Sequence, residues 1–323
     1  GDSKWHKEWK VSLDMFFRAM AILLHVADAT KQSISLFSDD IKSCFNQLVL
    51  SPEQHHKAVT LMRDGSTSNP LFAAGYILPF GIQCASNLAQ GWTHILTHLV
   101  RDLMDTMEQQ HPDPHPIIRG WVTNRQRLFP DQPWQWRLYY DGCFTDDNAA
   151  AILGIDRTVR YLRAWHEVTV RFNILMAPPK KRQLGCRMRW IGAIILGTGL
   201  ATVQLQKRLR AAVMLRTLLA GQLPLSALQK LLGLLQHFVA VFALKQNMMQ
   251  GMYAPLGGDE TAFGVLKHPE AKAAVSSTMQ SVSGKWLVML GTLAGCSASA
   301  FTSERNPITA ESLFRSWHSD AAN

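Results

Sequence analysis

Residues 136–154 have the sequence WRLYYDGCFTDDNAAAILG, in which two largely apolar runs flank a pair of aspartates. This pattern predicts a β-hairpin with Asp146 and Asp147 at its turn and the small apolar run AAAILG as its returning strand. Adjacent acids at a tight turn repel each other, so the pair requires a cation or a solvated loop. A second register is open, in which YYDG forms the turn and Asp141 is its acid. It would place residues 145–148, TDDN, in the returning strand, where three of them are costly to bury, so we favour the first register.

A second acid-bearing segment lies upstream of the hairpin. Residues 33–39, SISLFSD, alternate in hydropathy like a strand that ends at Asp40, and an aromatic residue, Phe45, follows five positions later. Because adjacent strand residues point to opposite faces, Asp39 cannot substitute for Asp40. Further on, LPFGIQCASNLAQ at 78–90 predicts a Pro-Phe-Gly turn that leads into a helix through small residues.

Helical periodicity dominates most of the remaining chain. It predicts helices at 11–29, at 85–108 with an apolar stripe, after a cap at Asp156, at 203–220, and after a capping box formed by Ser226 and Gln229. The stripe of the second helix is Leu88, Trp92, Ile95, Leu96, Leu99 and Leu103, and that of the last is Leu228, Leu231, Leu232, Leu235, Phe238 and Phe242.

Two segments are expected to be non-helical. Prolines are dense between residues 109 and 135, which predicts a surface insertion loop without helix or interior strand. Residues 189–196, RWIGAIIL, predict one further strand. Beyond residue 258 the periodicity weakens, and a linker or second module is expected to begin there.

Composition narrows the class of partner. The chain has 323 residues and a formal net charge of +9, which indicates a polyanionic partner, most often nucleic acid, although a basic surface that serves solubility is the alternative.

Five cysteines without a CxxC pair argue against a disulfide framework or zinc site and favour an intracellular, reducing compartment. No apolar run reaches the roughly 18–20 residues of a membrane span, so no membrane partner is expected. The charged opening GDSKWHKEWK is unlike a signal peptide, and its missing initiator methionine suggests a fragment of a longer polypeptide.

Six segments in this order resemble the reverse transcriptase family, over about residues 30–258. DIKSCF at 40–45 resembles motif A, LPFGIQCASNLAQ motif B, and FTDD at 144–147 the YxDD box of motif C, with Phe144 in place of the usual Tyr. The other three similarities are of MAPPKKRQLG at 176–185 to motif D, WIGAII at 190–195 to the primer-grip strand, and LQKLLGLLQHF at 228–238 to the thumb helix.

The resemblance implies an α+β fold of the right-hand polymerase type, with partial fingers, a palm built on a small antiparallel sheet, and a helical thumb. It would divide the chain into fingers and palm at 1–200, thumb at 201–258, and a linker or connection at 259–323. The final residues, FRSWHSDAAN, resemble the first strand of an RNase H-like module with Asp320 as its first acid. The chain ends before a partner acid, so the resemblance assigns no nuclease activity.

The implied activity is that of an RNA-directed DNA polymerase, which extends a DNA or RNA primer on an RNA template with dNTPs. By resemblance, Asp40 and Asp146 would bridge two Mg²⁺ or Mn²⁺ ions, Asp147 would be a more peripheral ligand, and the carbonyl of Ile41 would complete one shell. Hard oxygen ligands are what magnesium prefers. Two such ions clamp the attacking and leaving oxygens of a phosphoryl transfer.

Further residues acquire roles from the same resemblance. Phe45 would be the steric gate that excludes a 2′-hydroxyl, or else core packing. Lys181, within the run Lys180–Arg182, would serve the leaving pyrophosphate, or else the run is a solvated turn. The remaining expected contacts are Pro79, Phe80, Gly81 and Gln83 with the nucleotide, Trp190 and Gly192 with the primer end, and Lys207, Arg208, Arg210 and Arg216 with backbone phosphates.

Two other functions stay open. The first is a catalytically silent, reverse-transcriptase-derived scaffold or RNA-binding subunit inside a ribonucleoprotein or a larger polypeptide. The short region before Asp40 favours it, and the three retained acids count against it. The second is a general basic RNA-binding protein, which explains the charge but not the order of the motifs. His94 and His98 have helical metal-ligand spacing but no intervening acid, so no metal site is expected there.

Overall fold

The computed structural model describes residues 12–53, 55, 59–63, 70–78, 85–131, 136–244, 246–249, 251–256, 266–292 and 295–297. They form an α+β fold with small antiparallel sheets. The helices are α1 (Leu13–Thr30), α2 (Ala85–Gln110), α3 (Pro116–Leu128), α4 (Ile155–Arg171), α5 (Leu205–Leu219), α6 (Leu225–Val241) and α7 (Ser277–Thr292). The strands are β1 (Ile34–Asp40), β2 (Val59–Arg63), β3 (Pro70–Ala74), β4 (Tyr139–Phe144), β5 (Asp147–Leu153), β6 (Gln183–Gly185), β7 (Arg187–Trp190), β8 (Ala193–Leu196), β9 (Leu200–Val203) and β10 (Cys296–Ser297). Within these residues no helix is long and apolar enough to cross a membrane.

The central sheet has the strand order β4-β5-β1-β6. The predicted hairpin is confirmed, because β4 and β5 pair through Phe144 and Asp147 and leave residues 145–146 at the turn. The predicted strand before Asp40 is also confirmed, and β1 lies antiparallel to β5 with Asp40 opposite Asp147. The register with FTDD at the turn is therefore the one that the chain adopts.

Strand β5 is buried on both faces. Ala149, Ala151 and Leu153 pack into a core with α1 and α6, whereas Ala150 and Ile152 pack into a second core with α2 and α4. Small side chains allow helices to approach the sheet closely on each side. A slip of one residue would exchange the two sets of contacts, so burial fixes the register.

The prediction of a loop without helix between residues 109 and 135 is wrong. Helix α2 continues to Gln110, and α3 occupies Pro116–Leu128 with Pro116 in its first turn. A proline in the first helical turn loses no intrahelical hydrogen bond, and Pro130 lies beyond the last turn. The prolines bracket this helix rather than interrupt it.

The predicted buried stripe of α2 is also wrong in part. Leu88 and Ile95 are 54% and 60% exposed, and the helix buries a face of smaller and polar residues together with Leu96, Val100 and Met104. That face packs on β4 and α4, where bulky leucines on every turn would hold the helix too far from the sheet.

Two helix N-termini differ from the sequence predictions. Gly154, not Asp156, precedes α4 as its N-cap, and Asp156 lies in the first turn. Pro224 precedes α6, so the capping box with Ser226 does not form, and Ser226 instead donates its backbone N–H to Pro269. The apolar stripe of α6 is nevertheless buried as predicted.

The segment around Trp190 is a hairpin rather than the single strand predicted. Strands β7 and β8 pair through Trp190 and Ala193, and Ile191 (φ 45°) and Gly192 (φ 76°) form the turn. Two consecutive residues with positive φ are typical of a tight hairpin turn that matches strand twist. Helix α7, which the sequence pattern did not indicate, packs on α5 and contributes the buried Trp286 to the same core.

Asp141 has a structural role in this fold. Its carboxylate is 1% exposed, accepts a 2.6 Å hydrogen bond from Arg101 of α2, and receives a second from the Tyr161 hydroxyl. Removing one partner of a buried ion pair leaves the other charge without compensation.

We therefore expect Asp141→Ala to lower the free energy of unfolding by about 3–5 kcal/mol, measured by denaturant titration. The control is Asp102→Ala on the exposed side of α2, which should change stability by less than about 0.5 kcal/mol. Equal stabilities of the two variants would contradict a structural role for Asp141.

Candidate active site

The hairpin turn between β4 and β5 has an unusual backbone. Thr145, the first residue of the turn, has φ of 58°. Glycine, asparagine and aspartate are the residues that adopt a positive φ most readily. A left-handed conformation costs an L-residue roughly 1–2 kcal/mol, and β-branched threonine tolerates it poorly. Surrounding contacts must therefore hold Thr145 in place.

The turn brings the three predicted acids together. Asp40 and Asp147 lie directly opposite each other on β1 and β5, and the carbonyl of Asp146 accepts a 2.9 Å hydrogen bond from the backbone N–H of Ile41. Like charges directly opposite each other on neighbouring strands destabilise a sheet. The chain thus uses its backbone ladder to keep mutually repelling carboxylates at one edge.

Two consecutive basic residues neutralise the two aspartates of β1. Lys181 donates to Asp40 at 2.7 Å, and Arg182 donates to Asp39 at 2.8 Å. Asp39 is buried and also accepts a hydrogen bond from the indole of Trp165, whereas Asp40 is partly exposed. The two acids therefore point to opposite faces as predicted, and Asp39 belongs to the core.

The carboxyl groups at the turn are harder to ionise than free aspartate. Burial, and then the charge of Asp40, raises the pKa of Asp146, although Lys181 opposes the shift. The side chain of Asp147 keeps contact with solvent, yet the surrounding protein atoms, followed by the charges of Asp146 and Asp40, raise its pKa to about 6. Each of these shifts would be relieved by a positive charge among the three carboxylates.

Asp40, Asp146 and Asp147 lie at the ends of neighbouring strands. Their carboxylate oxygens are the type of ligand that a hard divalent cation prefers. In the part of the chain that the structure describes, no three His, Cys, Asp or Glu side chains already converge as a metal site requires. One of the acids, Asp40, is turned to Lys181. Lys181 donates to one carboxylate oxygen, Oδ2, and its ammonium would compete with a cation for this acid. The ligand role of the Ile41 carbonyl stays a prediction.

Several predicted nucleotide contacts can be placed only in part. Phe45 lies in a 3-10 helix, Cys44–Gln47, directly after the end of β1, and it is partly buried against the core of α2 and α4. Its role as a steric gate stays a prediction. Pro79, Phe80, Gly81 and Gln83 lie outside the described residues, as does Asp320.

Trp190 does not have the surface position that primer contact requires. Its ring is 2% exposed and packs on Phe16, and its indole N–H donates to the carbonyl of Asp147 at 3.0 Å. The expected contact between this side chain and a primer is therefore wrong. Trp190 lies in the core instead, where it hydrogen-bonds to the first residue of β5 in the β4–β5 hairpin. Gly192 lies at the turn of β7 and β8, and an added Cβ there would come within 2.8 Å of the Lys207 ammonium.

The basic residues of α5 differ in their surroundings. Arg208 is partly buried, and one of its guanidinium N–H groups donates to the carbonyl of Leu290 in α7 at 2.5 Å, while its phosphate contact stays a prediction. Lys207 lies against Gly192, at the junction of α5 with the β7–β8 turn. Arg210 and Arg216 are exposed, and their phosphate contacts also stay predictions.

Sequence reasoning missed Gln90, the last residue of the segment that resembles motif B. It is 2% exposed and hydrogen-bonds to Cys143 near the end of β4 and to Thr145 in the hairpin turn. A buried carboxamide needs partners for its donors and acceptor. Its place among small residues on the sheet-facing side of α2 was the available indication, but only the folded chain shows the partners.

Comparison with known proteins supports the fold and no more. No protein-family model matches the chain, and no curated protein matches it. The chain is similar to the foamy viral protease-reverse transcriptase in complex with RNA/DNA hybrid, with a TM-score of 0.52 and 12% identity over 81% of this chain and 28% of that chain. It is also similar to the foamy viral protease-reverse transcriptase dRH in complex with ds DNA, with a TM-score of 0.46 and 11% identity over 80% of this chain and 35% of that one. The first similarity shows a distant reverse transcriptase-like fold, and this chain spans less than a third of that larger protein.

The raised pKa of Asp147 predicts a dependence of stability on pH. Because the folded-state pKa of about 6 lies above the ordinary aspartate value of 3.8, ionisation opposes folding, so this contribution to stability is full below about pH 4 and is lost as pH rises through 6. Asp147→Asn should therefore raise the free energy of unfolding above about pH 7 and have no effect below about pH 4. Because the side chain keeps solvent contact, the gain should stay below about 1 kcal/mol.

The measurement is denaturant unfolding across this pH range with a chelator present. Asp28→Asn, at an acid that is 87% exposed, provides the control and should show no such gain. A loss of stability in Asp147→Asn at neutral pH would show that the carboxylates do not repel one another in the folded chain.

Proposed function

We propose that this protein is an RNA-directed DNA polymerase, which extends a primer with deoxynucleotides on an RNA template. The observation that supports it most is the meeting of Asp40 with Asp146 and Asp147 at one sheet edge, beside a lysine. Neither a buried ion pair nor core packing explains why three mutually repelling acids are held there. A distant reverse transcriptase-like fold supports the same conclusion.

Asp40 and Asp146 would hold the catalytic cations, and Asp147, which stays in contact with solvent, would be the more peripheral ligand. When bound, two Mg²⁺ or Mn²⁺ ions would supply charge stabilisation to the attacking and leaving oxygens of the phosphoryl transfer. The hydrogen bond from Ile41 to the Asp146 carbonyl would keep the turn against the end of β1 while these side chains reorient.

Lys181 would change partner during the reaction. Its side chain is 58% exposed and its ammonium donates to Asp40, which raises the pKa of Lys181. Once the charge of Asp40 is compensated otherwise, Lys181 can turn to an incoming triphosphate and donate to the leaving pyrophosphate. Arg182 would stay with the buried Asp39 throughout, because leaving it would strand a buried charge.

The template and primer would bind through positive charge. The chain carries a net charge of +9, and exposed Arg210 and Arg216 on α5 can contact phosphates without reading sequence. Proteins that neutralise phosphates bind nucleic acid more weakly as salt concentration rises.

A catalytically silent scaffold is the second candidate. The ion pair between Lys181 and Asp40 favours it, because a permanent lysine would satisfy the acid that a catalytic cation needs. A polymerase and a silent scaffold would both bind nucleic acid, but only the polymerase would extend a primer. Measuring extension and binding on the same protein therefore separates the two functions.

We expect purified protein to extend a primer on an RNA template in the presence of Mg²⁺. Asp146→Asn should reduce the rate of extension by at least about 100-fold, because the variant removes charge stabilisation worth several kcal/mol. Binding of the primer–template by fluorescence anisotropy should change less than about threefold, since this acid contacts no phosphate. Asp156→Asn, at an exposed acid of α4, is the matched control and should retain extension. Wild-type protein that binds the duplex but never extends it would establish the scaffold instead.

Sugar selection tests the position of Phe45. A ring beside the bound nucleotide leaves a 2′-hydroxyl without a partner, which costs on the order of 1–3 kcal/mol, and steric overlap adds to this. Phe45→Ala should therefore raise the use of ribonucleotides relative to deoxynucleotides by at least about tenfold in single-nucleotide insertion kinetics. Leu48→Ala, at a partly buried neighbour in the same core, is the control for packing and should leave the ratio unchanged. An unchanged ratio in Phe45→Ala would assign this ring to the core alone.

A further inference from the structure

Gln90 is a buried polar residue whose carboxamide faces the backbone of the hairpin turn. It lies on α2 and is 2% exposed. Its Nε2 donates to the carbonyl of Cys143 at 2.7 Å, and its Oε1 accepts from the backbone N–H of Thr145 at 2.9 Å. One side chain thus contacts the peptide groups on both sides of Phe144.

His94 completes the hydrogen bonding of this carboxamide. Its Nε2 lies 2.9 Å from Nε2 of Gln90, and burial, followed by the charges of Arg101 and His98, lowers the pKa of His94 to about 4. The ring is therefore neutral near pH 7 and can accept the second amide hydrogen of Gln90. With the amide reversed, two oxygens would face each other at Cys143, and two N–H groups would face each other at Thr145, so the partners determine its orientation.

The geometry of the turn depends on these bonds. Thr145 has a left-handed backbone conformation that threonine does not adopt by preference. Its N–H is held by Gln90, and its carbonyl faces the thiols of Cys44 and Cys143 at 3.9 and 3.7 Å. Asp146 follows immediately, and its carbonyl accepts from Ile41 at the end of β1.

We propose that Gln90 is a positioning residue, whose carboxamide holds Thr145 in the left-handed conformation that sets Asp146 against the end of β1. The side chain of Gln90 hydrogen-bonds to His94, Cys143 and Thr145 and not to the three acids, so it acts through the backbone of the turn. The expected effect of Gln90 on primer extension rests on the proposed polymerase function. Its effect on the conformation of Thr145 does not depend on that function.

Gln90→Met tests the proposal, because methionine has a similar length and neither donates nor accepts these hydrogen bonds. We expect kcat for primer extension to fall by at least about tenfold while KM for dNTP changes less than about threefold, since the acid is displaced but the nucleotide site is retained. The control is Thr97→Val. It removes a buried hydroxyl of the same helix, which donates to the carbonyl of His94, and it should change kcat less than about twofold.

A second readout is independent of polymerase activity. Selective ¹⁵N labelling of threonine reports hydrogen exchange at the Thr145 amide, which Gln90 protects. Exchange at this amide should accelerate by at least about tenfold in Gln90→Met and stay near the wild-type rate in Thr97→Val. An unchanged exchange rate would overturn the proposal, whether or not the wild-type protein extends primers.

A double variant tests whether Gln90 acts by holding the strained backbone of Thr145. Glycine accepts a positive φ without strain, so Thr145→Gly should make the turn less dependent on Gln90. The loss of kcat caused by Gln90→Met should be at least about threefold smaller in the Thr145→Gly background than in the wild type. Additive effects of the two substitutions would mean that Gln90 supports only the packing of α2. Wild-type protein without extension, combined with fast exchange in Gln90→Met, would reject the polymerase proposal and retain the positioning of the turn.

Discussion

The antiparallel register of β1 on β5 is the constraint from which the rest of the site follows. It places Asp40 opposite Asp147 and sets the turn residue Asp146 against Ile41, although the carboxylates repel one another. The register holds because β5 is buried on both faces, and a slip of one residue would move its apolar side chains into the wrong core. Hydrophobic burial thus provides the energy that keeps three charges crowded at one edge.

The acids of this region differ in the cations that accompany them. Asp39 and Asp141 are buried and paired with arginines, whose planar guanidinium groups satisfy a fixed carboxylate through several hydrogen bonds. Asp40 is partly exposed and paired with Lys181, whose flexible and solvent-accessible ammonium can move away. This difference separates acids whose cation is fixed by burial from an acid whose cation is accessible to solvent.

Sequence patterns identified the hairpin, the strand before Asp40 and most of the helices, because their apolar periodicity is strong. They failed where tertiary packing reversed the usual preference. The largest side chains of α2 indicated a buried stripe, yet Leu88 and Ile95 face outward because the sheet accepts only a close-packed face. Proline density suggested a loop around 109–135, yet Pro116 begins a helix instead of ending one.

The amino-acid sequence by itself determined that three acids would come from a strand end and a hairpin turn, since alternation and turn chemistry are local properties. It also indicated a polyanionic partner through the excess of basic residues. Only the tertiary structure decided that Trp190 and Arg208 donate hydrogen bonds to internal carbonyls, that Lys181 contacts Asp40, and that Gln90 hydrogen-bonds the turn. These contacts join residues as much as 141 positions apart, and local sequence carries no record of which side chains the packing of helices on a sheet will bring within hydrogen-bonding distance.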